Sequence, residues 1–272
     1  MTIKDYLQTA TKKLKNADIE TARLDTLILL EDCLSTNRAH VLAWPEESIT
    51  NEQIEWLNAR IERRSTHEPL AYIRNTCEFY GRSFYVNSHV LVPRPETEPI
   101  IDFVKKLSFE HSVRIADIGT GSGCIGISIS LELRNVQIDL YDIDQTALAI
   151  AKKNALHYKQ TKIGFHEGNL LKNLVTTYDV IIANLPYVPN GKPENIDVYF
   201  EPPLALFAGD DGLDLYREFW GQLKAMDTDK PAYVLTEARP QQQHATLTSL
   251  AMLAGYELFA TDNFIQEFKL TR

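Results

Sequence analysis

The segment that most restricts this chain is a loop. Val113-Arg114-Ile115-Ala116-Asp117-Ile118 reads as a strand and runs straight into Gly119-Thr120-Gly121-Ser122-Gly123, after which a helical pattern begins. Glycines here let the backbone turn sharply and let a ligand approach without meeting a Cβ. The helix that follows offers free N–H groups at its start. Nineteen residues beyond Gly123, at the end of the next apolar run, Asp142 supplies a carboxylate able to accept both hydroxyls of an adenosine ribose. The same glycines also fit Gly121-x-Gly123-x-x-Gly126, the dinucleotide fingerprint, so the loop by itself admits a nicotinamide-dependent dehydrogenase. Asp117 leans the other way. A carboxylate two residues before the first glycine repels a pyrophosphate and attracts an α-ammonium, which favours a cofactor with an amino-acid moiety.

Around this loop the chain alternates between strand and helix patterns. Strands are expected at 112–118, 136–142, 162–167, 178–183 and 231–237, and helices at 124–133, 144–158, 212–226 and 240–253. Such alternation with short connections predicts an α/β domain whose parallel sheet is covered on both faces. Residues 256–259 and 264–270 suggest a closing antiparallel hairpin. Upstream the pattern differs, with no glycine before Gly81. Leu24, Leu27, Ile28, Glu31 and Leu34 lie on a helical stripe, and Thr50-Asn51-Glu52-Gln53 is a capping box ahead of Ile54, Leu57 and Ile61. Residues 1–74 are therefore expected to form a small helical bundle. Between the two, Phe79, Tyr80, Phe84 to Val86 and Val90 to Val92 favour a β-hairpin turning at Gly81-Arg82-Ser83. Pro93-Arg94-Pro95-Glu96-Thr97-Glu98-Pro99 then suits a helix start. The expected division is a helical domain over 1–74, a hairpin linker over 75–95 and a catalytic domain over 96–272, and 272 residues accommodate it.

Charge narrows the partners. With 28 basic and 37 acidic residues the chain carries −9, and residues beyond 85 hold 17 basic and 24 acidic groups, or −7 of that total. This argues against a phosphate-driven nucleic-acid binder. Arg60, Arg63 and Arg64 read as a solvated helix face. Cys33, Cys77 and Cys124 are odd in number and show no C-x-x-C spacing, so neither a disulfide framework nor a zinc site is expected, and a reducing, cytoplasmic setting fits. Nothing approaches the roughly 18 apolar residues of a membrane span, and the first residues lack the apolar core of a signal peptide.

A second motif decides the class. Asp179-Val180-Ile181-Ile182-Ala183 leads directly into Asn184-Leu185-Pro186-Tyr187. In a doubly wound sheet both this segment and the glycine loop open onto the crevice at the strands' carboxyl ends. An amide or arylamine nitrogen is a poor nucleophile because its lone pair is delocalised. The Asn184 side-chain oxygen and the Leu185 carbonyl can each accept one of its N–H groups, turning the lone pair outward and stabilising positive charge as it develops. Tyr187 can stack on a planar substrate, and Pro186 stiffens the turn.

Taken together, these segments resemble the class I S-adenosylmethionine-dependent methyltransferases, and among them the PrmC/HemK protein-(glutamine-N5) methyltransferases. The resemblance runs through Arg23-Leu24-Asp25, Glu68-Pro69-Leu70-Ala71-Tyr72-Ile73, Glu78-Phe79-Tyr80-Gly81, Leu91 to Glu98, Asp117 to Gly123, Asn184 to Tyr187, Glu201-Pro202 and Asp211 to Arg217. It implies a Rossmann-like, seven-stranded catalytic domain, a hairpin linker and a helical domain that docks class-1 peptide chain release factors, whose Gly-Gly-Gln glutamine would be the acceptor. It further implies that Asp117, Gly119, Thr120, Gly121, Ser122, Gly123, Asp142, Asn169, Leu170 and Asn184 hold S-adenosylmethionine. Asn184, Leu185, Pro186 and Tyr187 would hold and activate the glutamine amide, with Arg94, Glu96 and Glu98 near the crevice. No metal, no membrane and no direct nucleic-acid partner are expected, and the chain is expected to act as a monomer.

The sequence departs from the family pattern at Leu185, where a second proline is usual, and at Asn169, where aspartate is usual. Glu237-Ala238-Arg239 replaces Glu-Ile-Gly, and the tail around Asp262 is atypical. The alternatives are an adenine-N6 nucleic-acid methyltransferase, whose motif Asn-Leu-Pro-Tyr also resembles, and a glutamine methyltransferase acting on a ribosomal protein. A dehydrogenase leaves Asn184 to Tyr187 unexplained, and the intact motif argues against a non-catalytic binding protein.

Overall fold

The computed structural model describes residues 1–191 and 196–271. The chain divides into two compact units: Met1–Asn75 together with Ile196–Phe200, and Thr76 onward apart from that return segment.

The first unit contains five helices among the described residues: α1 Ile3–Asn16, α2 Ala22–Leu34, α3 Arg38–Ala43, α4 Asn51–Ser65 and α5 Leu70–Arg74. Thr2 and Thr50 both close capping boxes, the second with Gln53 as its reciprocal partner. The α2 stripe, however, is not the buried face. Leu24 is exposed, whereas Ala22, Asp25, Thr26, Leu29 and Leu30 are buried together with Leu27. The reason is electrostatic. Asp25 is tolerated inside because the buried guanidinium of Arg64 meets it at 2.7 Å and also reaches Asp197 at 2.9 Å, so the buried charge is not left unpaired.

The second unit opens with a hairpin, β1 Thr76–Phe79 and β2 Arg82–Tyr85. Its turn is Tyr80-Gly81, both at positive φ (50° and 67°), rather than Gly81-Arg82-Ser83. Two left-handed residues match the twist of the strands they join. Val90 to Val92 belong to no strand; Val90 and Val92 are buried in the loop that follows. Helix α6 Pro99–Lys106 then starts on a proline.

From there strands and helices alternate: β3 Val113–Ile118, α7 Cys124–Glu132, β4 Val136–Asp142, α8 Gln145–His157, β5 Gly164–Glu167, β6 Val180–Ala183, α9 Asp214–Ala225, β7 Tyr233–Glu237, α10 His244–Leu253, β8 Tyr256–Asp262 and β9 Ile265–Leu270. The sheet order is β5-β4-β3-β6-β7-β9-β8, parallel except for the terminal hairpin β8-β9. Alternate residues face opposite layers. Ile115, Val180 and Ile182 pack on one side with Ile127 of α7 and Phe79 and Phe84 of the hairpin. Ala116, Ile118, Ile181 and Ala183 pack on the other with Tyr216, Phe219 and Trp220 of α9 and Leu247 of α10. After β3 the chain moves outward to β4 and β5, then returns to place β6 on the opposite side of β3. That reversal leaves a crevice at the carboxyl ends of β3 and β6.

Candidate active site

Two loops meet in this crevice because their strands are in register. Ile118 of β3 pairs with Ala183 of β6, so the next residues, Gly119 and Asn184, leave the sheet side by side. A Cβ on Gly119 would stand 3.3 Å from Leu185 Cδ2 and 3.8 Å from the Asn184 carbonyl oxygen. Glycine is therefore needed for close approach as well as for its φ of 72°.

The β3 loop is held largely by neighbours in sequence and by β4. The N–H groups of Gly119 and Thr120 both donate to the Tyr141 carbonyl at 2.9 Å. Asp117 is 1% exposed, and its Oδ2 accepts from Thr120 Oγ1 at 2.7 Å and the Gly126 N–H at 3.1 Å. Its Oδ1 is buried with no partner among the described residues. Burial, helped by the nearby Asp142, pushes the Asp117 carboxyl up to about 6. Asp142 Oδ2 accepts the Gly121 N–H at 2.8 Å and its Oδ1 the Asp144 N–H at 3.0 Å. Each oxygen keeps a further lone pair for a ligand hydroxyl. Burial raises this carboxyl too.

The β6 loop is held by partners from far along the chain. Asn184 Nδ2 donates to Glu237 Oε2 at 3.1 Å and to Thr97 Oγ1 at 3.3 Å. Tyr187 Oη donates to the other oxygen of Glu237 at 2.9 Å, and both burial and that carboxylate drive the phenol's pKa upward. Tyr216 is fully buried, its hydroxyl lying 2.8 Å from the Ala183 carbonyl and 2.7 Å from the Glu237 carbonyl while accepting the Leu185 N–H at 3.3 Å. One phenol thus ties the ends of β6 and β7 together. Gln243 Nε2 donates to the Tyr187 carbonyl at 2.8 Å and to the Asp211 carbonyl at 2.9 Å.

Between the loops lies a cavity walled by Gly119, Gly121, Asp142, Asn169, Leu170, Asn184, Leu185 and Pro186, with apolar surface from Ile143 and Ala147. Eight of the residues singled out from sequence are thus brought together. The others sit elsewhere. Asp117, Thr120 and Ser122 are buried and lie outside the wall. Gly123 is the left-handed cap of α7, where a Cβ would lie 2.8 Å from Ile127 Cδ1. Arg94 pairs with buried Glu201, whose other oxygen accepts the Val92 N–H at 3.0 Å. Burial raises the Glu237 pKa; the charge of exposed Glu96 adds to that rise and the charge of Arg94 offsets it. Glu98 accepts the Tyr80 N–H at 2.8 Å and so braces the hairpin. Leu170 adopts φ 53° at the cavity wall, a strained conformation for a leucine.

Sequence reasoning missed Glu237, Thr97, Tyr216 and Gln243 as parts of the site. For Glu237 the signal is register: Thr236 pairs with Ala183, so the acid that ends β7 stands beside the asparagine that follows β6.

A family model described as PrmC N-terminal domain matches residues 5–74, and one described as methyltransferase small domain matches residues 102–199. The chain is 36% identical to the release factor glutamine methyltransferase of Coxiella burnetii, over 78% of this chain and 77% of that one. It is 35% identical to that of Koribacter versatilis, over 82% and 83%. The chain belongs to the release factor glutamine methyltransferase family. Other relatives are longer: the chain is 36% identical to the bifunctional methyltransferase of Rickettsia bellii but covers only 44% of its length. Among solved structures, the catalytic domain of hMettl16 bound to a MAT2A 3′UTR hairpin matches with a TM-score of 0.53 over 82% of both chains at 16% identity. That likeness shows the shared class I methyltransferase fold.

The family's cofactor is S-adenosylmethionine, and the crevice fits it. Asp142 and Asp144 line the cavity, and Asp117, near enough to Asp142 for their charges to interact, keeps one buried oxygen without a partner among the described residues; this negative field favours a ligand carrying positive charge. Apolar Ile143 and Ala147 suit a flat base. No helix among the described residues is long and apolar enough to cross a membrane, and no group of three or more metal-ligating side chains occurs among them.

Proposed function

We propose that this chain transfers a methyl group from S-adenosylmethionine to the side-chain amide nitrogen of the glutamine in the Gly-Gly-Gln loop of class-1 peptide chain release factors, acting in the cytoplasm as a monomer. The observation that carries this reading is the emergence of Asn184 and Leu185 at the crevice directly beside Gly119.

Gly119, Gly121, Asp142, Asn169 and Leu170 would hold the cofactor, with Asp117, Thr120, Ser122 and Gly123 setting the loop beneath it. When bound, S-adenosylmethionine supplies a methyl group on a positively charged sulfur. The chain's own residues prepare the acceptor. The Asn184 amide oxygen and the Leu185 carbonyl accept the two N–H groups of the glutamine amide, which turns its lone pair out of conjugation and steadies the charge that grows on nitrogen. Pro186 stiffens the turn that presents the Leu185 carbonyl, and the Tyr216 hydroxyl holds the preceding Asn184–Leu185 peptide through the Leu185 N–H. Tyr187 offers a face for the planar amide, and Arg94 and Glu96 would contact the flanking substrate backbone. No strong base is required, because the proton leaves after transfer.

The test is transfer of labelled methyl to a purified release factor, with a Gly-Gly-Ala acceptor as the control. Label on the intact acceptor that is absent from the altered one is the expected result. Cofactor binding without label on the release factor would overturn the substrate assignment.

A further inference from the structure

Glu237 stands at the centre of the β6 loop's contacts, yet neither the cofactor cavity nor the amide-accepting pair includes it. It is 1% exposed. A carboxylate so placed is costly unless its oxygens are satisfied by donors. Here one oxygen accepts from Asn184 Nδ2 and the other from Tyr187 Oη; burial raises the carboxyl's pKa, and hydrogen bonds from Thr97 and Tyr187 work against that rise.

A free asparagine amide presents an acceptor at one end and a donor at the other and exchanges them by a half-turn about its last bond. Only one of the two faces that could meet a substrate N–H is useful. Both Glu237 oxygens act as acceptors here, so the carboxylate binds the NH2 end and rejects the oxygen. Thr97 Oγ1 takes a second contact from the same nitrogen. With Nδ2 so engaged, Oδ1 is the end left to accept.

We propose that Glu237 is a positioning residue: it locks the Asn184 amide with Nδ2 turned to the protein and Oδ1 turned out as the acceptor for the substrate N–H, while holding Tyr187 on the same carboxylate. This rests on the reading of Asn184 given above. The carboxylate holds both ends of the four-residue motif at once, so the motif behaves as one rigid unit. Backbone ties complete it, since Tyr216 binds the Glu237 carbonyl and the Ala183 carbonyl together.

Glu237→Gln is the decisive variant. Glutamine has nearly the same shape but can donate as well as accept, so either orientation of Asn184 becomes satisfiable. The expected result is a fall in kcat of about 10- to 100-fold, below the roughly 100- to 1,000-fold cost of losing a preorganised contact outright, because the acceptor is misaligned rather than removed. The Kd for S-adenosylmethionine stays within about 2-fold, because Glu237 does not line the cofactor cavity. A second readout needs no substrate. In the full-length protein, the side-chain amide signal of Asn184, assigned by its disappearance in Asn184→Ala, is expected to move or double in Glu237→Gln. An unchanged amide signal, an unchanged kcat, or a kcat loss matched by equal loss of cofactor affinity would overturn the proposal. If wild type methylates no release factor, the substrate reading fails and the amide signal alone decides the role of Glu237. Thr97→Val is the companion variant should Glu237→Gln fold poorly. It removes the second partner of the same nitrogen with little change of shape. A several-fold lower kcat at constant cofactor affinity supports the lock, and wild-type kcat removes it.

Discussion

The loops after β3 and β6 leave the same edge of the sheet side by side, but they are built in opposite ways. The β3 loop is fastened locally: Asp117 to Thr120 and Gly126, and Gly121 to Asp142 at the end of the next strand. The β6 loop is fastened at long range, through Thr97, Tyr216, Glu237 and Gln243, each 31 or more positions from its partner in the motif. A locally closed loop can keep its shape as a cofactor comes and goes. A loop closed through distant elements keeps its shape only while the whole domain is packed. On the function proposed above, binding falls to the first loop and chemistry to the second, and each substitution below tests that separation.

The largest expected effect lies in the β6 loop. Asn184→Ala removes the acceptor that meets the substrate amide, and kcat should fall about 100- to 1,000-fold. Cofactor affinity, read by calorimetry, should change by less than about 3-fold. A loss in affinity as large as the loss in kcat would show that the two loops are not separate. Asp142→Asn is the counterpart in the β3 loop. It keeps the shape but halves the accepting capacity for ribose hydroxyls, so Kd should rise about 10-fold, the equivalent of about 1.4 kcal/mol, with saturated kcat little changed. If kcat falls instead, the division between binding and chemistry is wrong.

The β3 loop also carries a pH signature. Burial lifts the Asp117 carboxyl from its ordinary 3.8 to about 6, so the folded state holds this proton more tightly than the unfolded chain. The resulting stability is fully present below about pH 4 and is lost as pH climbs through about 6. Asp117→Asn cannot titrate. Without cofactor, its stability relative to wild type should therefore improve by about 1 kcal/mol between pH 5 and pH 8. Denaturant titrations at the two pH values read this directly, and a difference that does not change with pH would show that Asp117 is solvated.

The same contrast explains which parts of the molecule could be read from its sequence. The glycine loop, Asp142 and the strand–helix alternation are local patterns, and the structure places them as expected. The order of the motif strand beside β3 followed from the topology of doubly wound sheets. Glu237 could not be recognised in the same way, because its role depends on β7 lying next to β6 in a register that periodicity does not specify. The α2 stripe misled for a related reason: a buried ion pair between Asp25 and Arg64, 39 positions apart, outweighs the apolar pattern. The hairpin turn was displaced by one residue because Tyr80 accepts a left-handed conformation that its side chain does not advertise.

Leu185 is the residue on which the separation is weakest, and it carries the smallest expected effect. Its carbonyl and N–H belong to the β6 loop, but its side chain is 3% exposed and reaches across to Gly119. Proline, usual at this position in the family pattern, would remove an N–H that donates to Tyr216 Oη at 3.3 Å, a bond near the long limit of useful geometry. It would also stiffen the unfolded chain, worth about 0.4–1 kcal/mol in favour of folding. These two backbone contributions roughly cancel, so kcat should stay nearly unchanged in Leu185→Pro, while loss of the buried side chain lowers the melting temperature. The lost isobutyl group is another matter, because it fills the space where the two loops touch. Cofactor Kd should therefore rise 2- to 5-fold, about 0.4–1 kcal/mol, although the substitution lies wholly in the catalytic motif. A kcat loss exceeding the affinity loss would mean that the Tyr216 bond steers the Leu185 carbonyl more than the backbone around it does.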